Sequence, residues 1–117
     1  MKEIMERLLE ATDCGTVEWE KTGSYLSFSV EFEEKLYLIS KDHKGETEIY
    51  VMNDEYDFVD IGELKNTDIL KKIYNKILHK YPDYKKRVED CLRRIEEDKL
   101  KTEIDITQFY IGFKNLL

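Results

Sequence analysis

The sequence predicts an α+β fold: an N-terminal helix, an antiparallel meander of about four strands, then two to three C-terminal helices packed on one sheet face. Three observations lead there. Apolar residues recur at helical spacing over the first dozen residues, alternate with period two as far as Ile61, and return to a 3.6-residue period after Gly62. Strands grouped in one block between helices, rather than alternating with them, distinguish this class from a doubly wound α/β fold. The 117 residues suffice for one domain, 1–117, around one core.

Each element has its own signal. Over residues 2–12, Ile4, Met5, Leu8 and Leu9 share a face opposite Glu3, Glu6, Arg7 and Glu10, and Gly15 offers a left-handed C-cap. Thr16 to Glu20 alternates, Thr22-Gly23-Ser24 turns, and Leu26, Phe28, Val30 and Phe32 line one side of the next strand. Glu33-Glu34-Lys35 turns into Leu36 to Ser40, and Lys41 to Gly45 turns into Thr47 to Met52. Tyr56 to Ile61 offers a short fifth strand. Asn66-Thr67-Asp68 then supplies a cap for a helix whose apolar face is Ile69, Leu70, Ile73, Tyr74, Ile77 and Leu78. Pro82 interrupts it, and a new helix from about Asp83 carries Tyr84, Val88, Cys91, Leu92 and Ile95, with Glu89–Arg93 and Asp90–Arg94 as expected surface pairs. Asp105-Ile106-Thr107-Gln108 resembles a capping box and predicts a last helix with Phe109, Tyr110, Phe113, Leu116 and Leu117 on one side.

The stretch LLEATDCGTVEWEKTG, followed by a tyrosine-rich meander, resembles small bacterial and phage cytoplasmic proteins in which a helix ending near Gly leads into a Trp-bearing strand. The resemblance rests on Leu8, Leu9, Gly15, Trp19 and Thr22, covers roughly the first half, and implies no transferable activity. A helix, three strands and a helix is also the element order of the double-stranded-RNA-binding domain, but here the loop after the second strand is acidic where a lysine-rich stretch would be expected. The amphipathic start, the lack of a long apolar run and two unpaired cysteines, Cys14 and Cys91, predict a cytoplasmic protein with reduced thiols and no membrane segment.

Much chemistry lacks its residues. Five isolated glycines give no phosphate-cradling loop, and Cys14, His43, His79 and Cys91 are too scattered for a zinc site. The Glu-x-Lys triplets at Glu33 and Glu63 lack the further acid that a metal-dependent nuclease needs, and Asp54, Asp57, Asp60 and Glu63 lack the spacing of a calcium loop. No nucleophile elbow is present. The expectation is a non-enzymatic protein without cofactor, metal or catalytic residues.

Charge is more informative. The chain carries a net −7, but residues 1–66 hold 7 basic and 17 acidic side chains while residues 67–117 hold 12 and 9. Between Glu46 and Glu63 there are seven acids and no base, interleaved with Tyr50, Tyr56 and Phe58. Carboxylates speed encounter with a cationic surface and desolvated aromatics supply affinity, so Tyr50, Asp54, Glu55, Tyr56, Asp57 and Asp60 are the candidate site for a basic protein partner, in the manner of immunity proteins or phage anti-defence inhibitors. The alternative is a phosphorylated ligand, nucleotide or nucleic acid, held by Lys72, Lys76, Lys80, Tyr81 and Lys85 on the basic helical segment 71–87. Opposite charge at the two ends also allows a homo-oligomer.

Overall fold

Helical spacing of Ile4, Met5, Leu8 and Thr12 builds α1 (Lys2–Cys14), which buries Met5, Leu8 and Thr12. It stops at Gly15, at φ 73°, where the Gly15 N–H donates to the Thr12 carbonyl and the Thr16 N–H to that of Ala11. This closes the helix with the expected left-handed cap. The computed structural model describes the backbone of residues 1–116 and the side chains of residues 1–99.

The meander has five strands, β1 (Glu20–Lys21), β2 (Phe28–Phe32), β3 (Lys35–Lys41), β4 (Thr47–Met52) and β5 (Phe58–Asp60), each antiparallel to the next in chain order. The expected first strand over Thr16 to Glu20 shrinks to Glu20–Lys21. Its tryptophan is needed elsewhere: the Trp19 Nε1–H donates to Thr12 Oγ1 at 2.9 Å, and that hydroxyl donates to the Leu8 carbonyl at 2.7 Å. Trp19 is thereby drawn onto α1 as a buried side chain. The second strand starts at Phe28 because Tyr25 and Leu26 belong to the preceding turn.

Register decides the two faces. Phe28, Ile39 and Ile49 lie side by side, as do Val30, Tyr37 and Val51, and this face meets the helices in one core. After a 3₁₀ turn (Gly62–Leu64), α2 (Asp68–Lys80) adds Leu70, Ile73, Tyr74, Ile77 and Leu78 to that core. The Thr67 side chain does not cap it; its hydroxyl donates back to the Leu64 carbonyl at 2.8 Å. Tyr74 is buried beneath β2 and donates its hydroxyl to the Leu26 carbonyl at 2.8 Å.

Pro82 opens α3 (Pro82–Leu116) at the first helical position, where a missing amide donor costs nothing. Val88 is buried against the core, Tyr84 and Leu92 partly so, and α3 passes the β3–β4 turn at Gly45, where a Cβ would meet Leu92 Cδ2 at 3.3 Å. The break expected before Asp105 is absent: α3 runs 35 residues without interruption, about 52 Å at 1.5 Å per residue. The capping signal is local, and Asp and Thr are only mildly unfavourable inside a helix already propagating through them. Two C-terminal helices therefore follow the sheet. The side chains of Phe109, Tyr110, Phe113, Leu116 and Leu117, the expected apolar side of the last helix, lie outside the described residues. On α3, Arg93 approaches Asp90 at 3.7 Å and Glu97 at 3.9 Å rather than Glu89, an exposed arrangement of small energetic weight.

Candidate partner-binding face

The face of the sheet turned away from the helices is sorted by charge. Within the five strands the carboxylates are Glu20, Glu31, Glu48 and Asp60, and the lysines are Lys21, Lys35 and Lys41. The register places all four carboxylates on the outer face, opposite Ser29, Leu36, Ser40 and Tyr50 respectively. All three lysines fall on the helix-facing side, opposite Phe28, Phe32 and Thr47. Between the carboxylates lie Leu36, Leu38, Tyr50, Met52 and Phe58, half-buried or exposed. No helix packs over them among the described residues. The surface thus has an apolar and aromatic centre within a negative frame.

Two hairpin tips stand at one end of this face. In the β4–β5 loop the Asn53 carboxamide oxygen accepts the N–H groups of Glu55 at 2.9 Å and Asp57 at 3.0 Å, while the Tyr56 N–H donates to the Asn53 carbonyl at 3.1 Å. That turn holds Tyr56 at φ 62°, a conformation normally left to glycine or asparagine, with its side chain 83% exposed. The β2–β3 tip does the same with Glu33 (φ 49°) and Glu34 (φ 66°). Arg7 on α1 steadies Glu33 by a two-pronged contact of 2.8 and 3.0 Å, which lowers the Glu33 carboxyl below its usual range. Between the tips is a depression of about 380 Å³ floored by Leu36 and Met52 and walled by Glu31, Glu34, Asp54 and Tyr56, with Lys35 at its edge. Left-handed residues without glycine are uncommon, and three of the four among the described residues flank this one depression.

Of the residues picked out in the sequence, Tyr50 and Asp60 sit directly opposite each other across β4 and β5. Burial, with a hydrogen bond to Glu48 and the charges of Glu48 and Asp60, pushes the Tyr50 phenol up to about 12, so it stays a hydrogen-bond donor. Asp54 and Tyr56 wall the depression; Glu55 and Asp57 lie exposed in the same tip. The face also takes in Glu48 and Phe58 of the acidic segment, and recruits Glu20, Glu31, Glu34, Leu36, Leu38 and Met52, which charge clustering along the chain does not single out. Serine and glutamate alternating through Ser27, Ser29 and Glu31 is the readable signal for the β2 part of it.

The basic residues of segment 71–87 are more dispersed. Lys76 is engaged by Asp13 of α1, the Tyr81 hydroxyl donates to the Trp19 carbonyl, and Lys72 borders an apolar depression between α1 and the start of α2. Lys80 is exposed at the end of α2, and Lys85 lines a separate cleft between α2 and α3. Tyr81 stacks on Phe28 with ring centroids 5.7 Å apart, and Lys21 lies over its ring at 5.0 Å and over that of Tyr84 at 4.6 Å. That ring is therefore already occupied within the fold.

Against known proteins, no family model, no curated protein and no solved structure matches the chain. Among the described residues no helix is long and apolar enough to cross a membrane, and no three His, Cys, Asp or Glu side chains converge as a metal site.

Proposed function

We propose that this is a small, acidic, non-enzymatic interaction protein whose outer sheet face docks a basic surface of a protein partner, in the way an immunity or anti-defence inhibitor occupies a cationic cleft. The observation that carries the reading is the segregation of all four strand carboxylates onto the face without helices. A sheet exposed merely to water needs polar residues of either sign; here the charged strand residues around Leu36, Leu38, Tyr50, Met52 and Phe58 are all carboxylates, with Lys35 and Lys65 only at the margins. Lysine or arginine of the partner would meet the frame, raising the association rate, while burial of the apolar centre would slow dissociation. Tyr56 extends from the tip as an aromatic anchor of the kind that dominates protein interfaces.

The test uses the full chain as bait. A cytoplasmic partner recovered by the wild type and then purified should bind the variant E20Q/E31Q/E48Q/D60N at least about tenfold more weakly at low salt, and the wild-type affinity should itself fall as salt rises. Neutralising Asp54, Glu55 and Asp57 should weaken it further. Binding indifferent to both sets of changes, or recovery only of acidic partners, would refute the reading.

A further inference from the structure

Lys41 stands apart from every other charged group on the sheet. It closes β3 on the helix-facing side, where its ammonium donates to Thr47 Oγ1 at 2.6 Å and lies 4.8 Å from the centre of the Tyr74 ring. Thr47 and Tyr74 are both fully buried. An ammonium has three donors, and Thr47 takes one; among the described residues no carboxylate comes within ion-pair distance. The adjacent Asp42 is turned away, with its carboxylate 2.9 Å from Lys65. Burial first, and then the nearby charge of Lys71, lowers the Lys41 pKa from the ordinary lysine value, against a smaller opposing pull from the Asp42 carboxylate. A half-buried cation without a counter-ion is costly, and protein interiors normally satisfy one with an anion or a carboxylate.

The room for an anion is present. Lys41 reaches the cleft between α2 and α3, about 220 Å³, whose other polar walls are Asn75, His79, Lys85 and Glu89. Glu89 is exposed and forms no ion pair among the described residues, so the cleft offers two lysines, an imidazole and a carboxamide against one solvated carboxylate. Its volume is below the roughly 300 Å³ at which pockets for drug-sized ligands begin.

We propose that the α2–α3 cleft is a binding site for a small free oxyanion, chemically a phosphate, with half-buried Lys41 as the inner charge partner and Lys85, His79 and Asn75 as the outer contacts. The site is independent of the outer sheet face and of any protein partner. It differs from the basic stripe of α2, since Lys41 comes from the sheet and only fold geometry brings it to Lys85.

The experiment follows the side-chain NMR signals of the lysines in the full wild-type chain while inorganic phosphate replaces chloride at constant ionic strength. The Lys41 signal should shift saturably and its pKa should rise, while Lys80, exposed at the end of α2, should not respond. The substitution K41M, which keeps the apolar stem, should weaken phosphate binding by about tenfold or more, and K85M by less. Equal, non-saturating shifts at all lysines would overturn the site, as would unchanged binding by folded K41M. A nucleoside monophosphate binding as tightly as phosphate would overturn the assignment to a free anion.

Discussion

Replacing Tyr56 by glycine should make the protein more stable and less able to bind. Tyr56 holds φ 62° at the β4–β5 tip and is 83% exposed, so it has little packing to lose. A side chain in the left-handed region costs about 1–2 kcal/mol, and the added freedom of glycine in the unfolded chain returns about 0.5–1 kcal/mol of that. The expected net effect is a gain of about 0.5–1 kcal/mol, a rise of roughly 2–4 °C in Tm. Urea unfolding read by Trp19 fluorescence measures it, because that indole is buried at 1% exposure and becomes solvated on unfolding. The same variant should lose about tenfold or more in partner affinity. A loss of stability above about 0.5 kcal/mol would refute the reasoning, since it would mean that contacts, not function, keep a tyrosine in this conformation.

Three further outcomes concern the scaffold. Thr12→Val strands the buried Trp19 Nε1–H and should cost about 1–3 kcal/mol in urea unfolding, whereas Thr12→Ser, which retains the acceptor, should cost less. Gly45→Ala should lose about 1 kcal/mol or more by the same measurement, because φ 81° disfavours a side chain and the new Cβ would crowd Leu92. Asp42 is pushed up by burial but held at about 2 by Lys65 and by the N–H groups of Glu46 and Lys44. Its folded value lies below the unfolded one, so its stabilisation is complete above about pH 4 and disappears as pH falls toward 2. Asp42→Asn keeps an acceptor for both amides and should be less stable near neutrality by about 1 kcal/mol, a modest figure because solvent screens the partly exposed Lys65, with the difference closing at low pH.

Most of the architecture was legible because each segment carries one clear period: the apolar face of α1, its Gly15 stop, the four later strands and the buried face of α2 follow directly from residue spacing. Where two influences compete, spacing misleads. Thr16 to Trp19 alternates like a strand, but a buried indole hydrogen bond to Thr12 outweighs strand pairing. Asp105 to Gln108 looks like a helix start, yet lies within α3. The candidate face was half legible. Acid clustering marked the β4–β5 tip, whereas Leu36, Tyr37, Leu38 and Ile39 are uniformly apolar, so periodicity could not say which pair faces outward. Register settles that, placing Tyr37 and Ile39 in the core and Leu36 and Leu38 beside Glu31, Tyr50 and Met52. Lys41 and Lys85 are 44 positions apart, and no sequence pattern joins them.

The central claim is that the outer sheet face is the docking surface, and carboxyl footprinting by mass spectrometry tests it directly. Labelling of the free protein is compared with that of the purified complex. Docking predicts protection of Glu20, Glu31, Glu48, Asp54 and Asp60, with Glu3 and Glu10 of α1 labelled equally in both states. Protection confined to α1, or to Asp83 and Glu89 on α3 with the outer-face carboxylates unchanged, would contradict it.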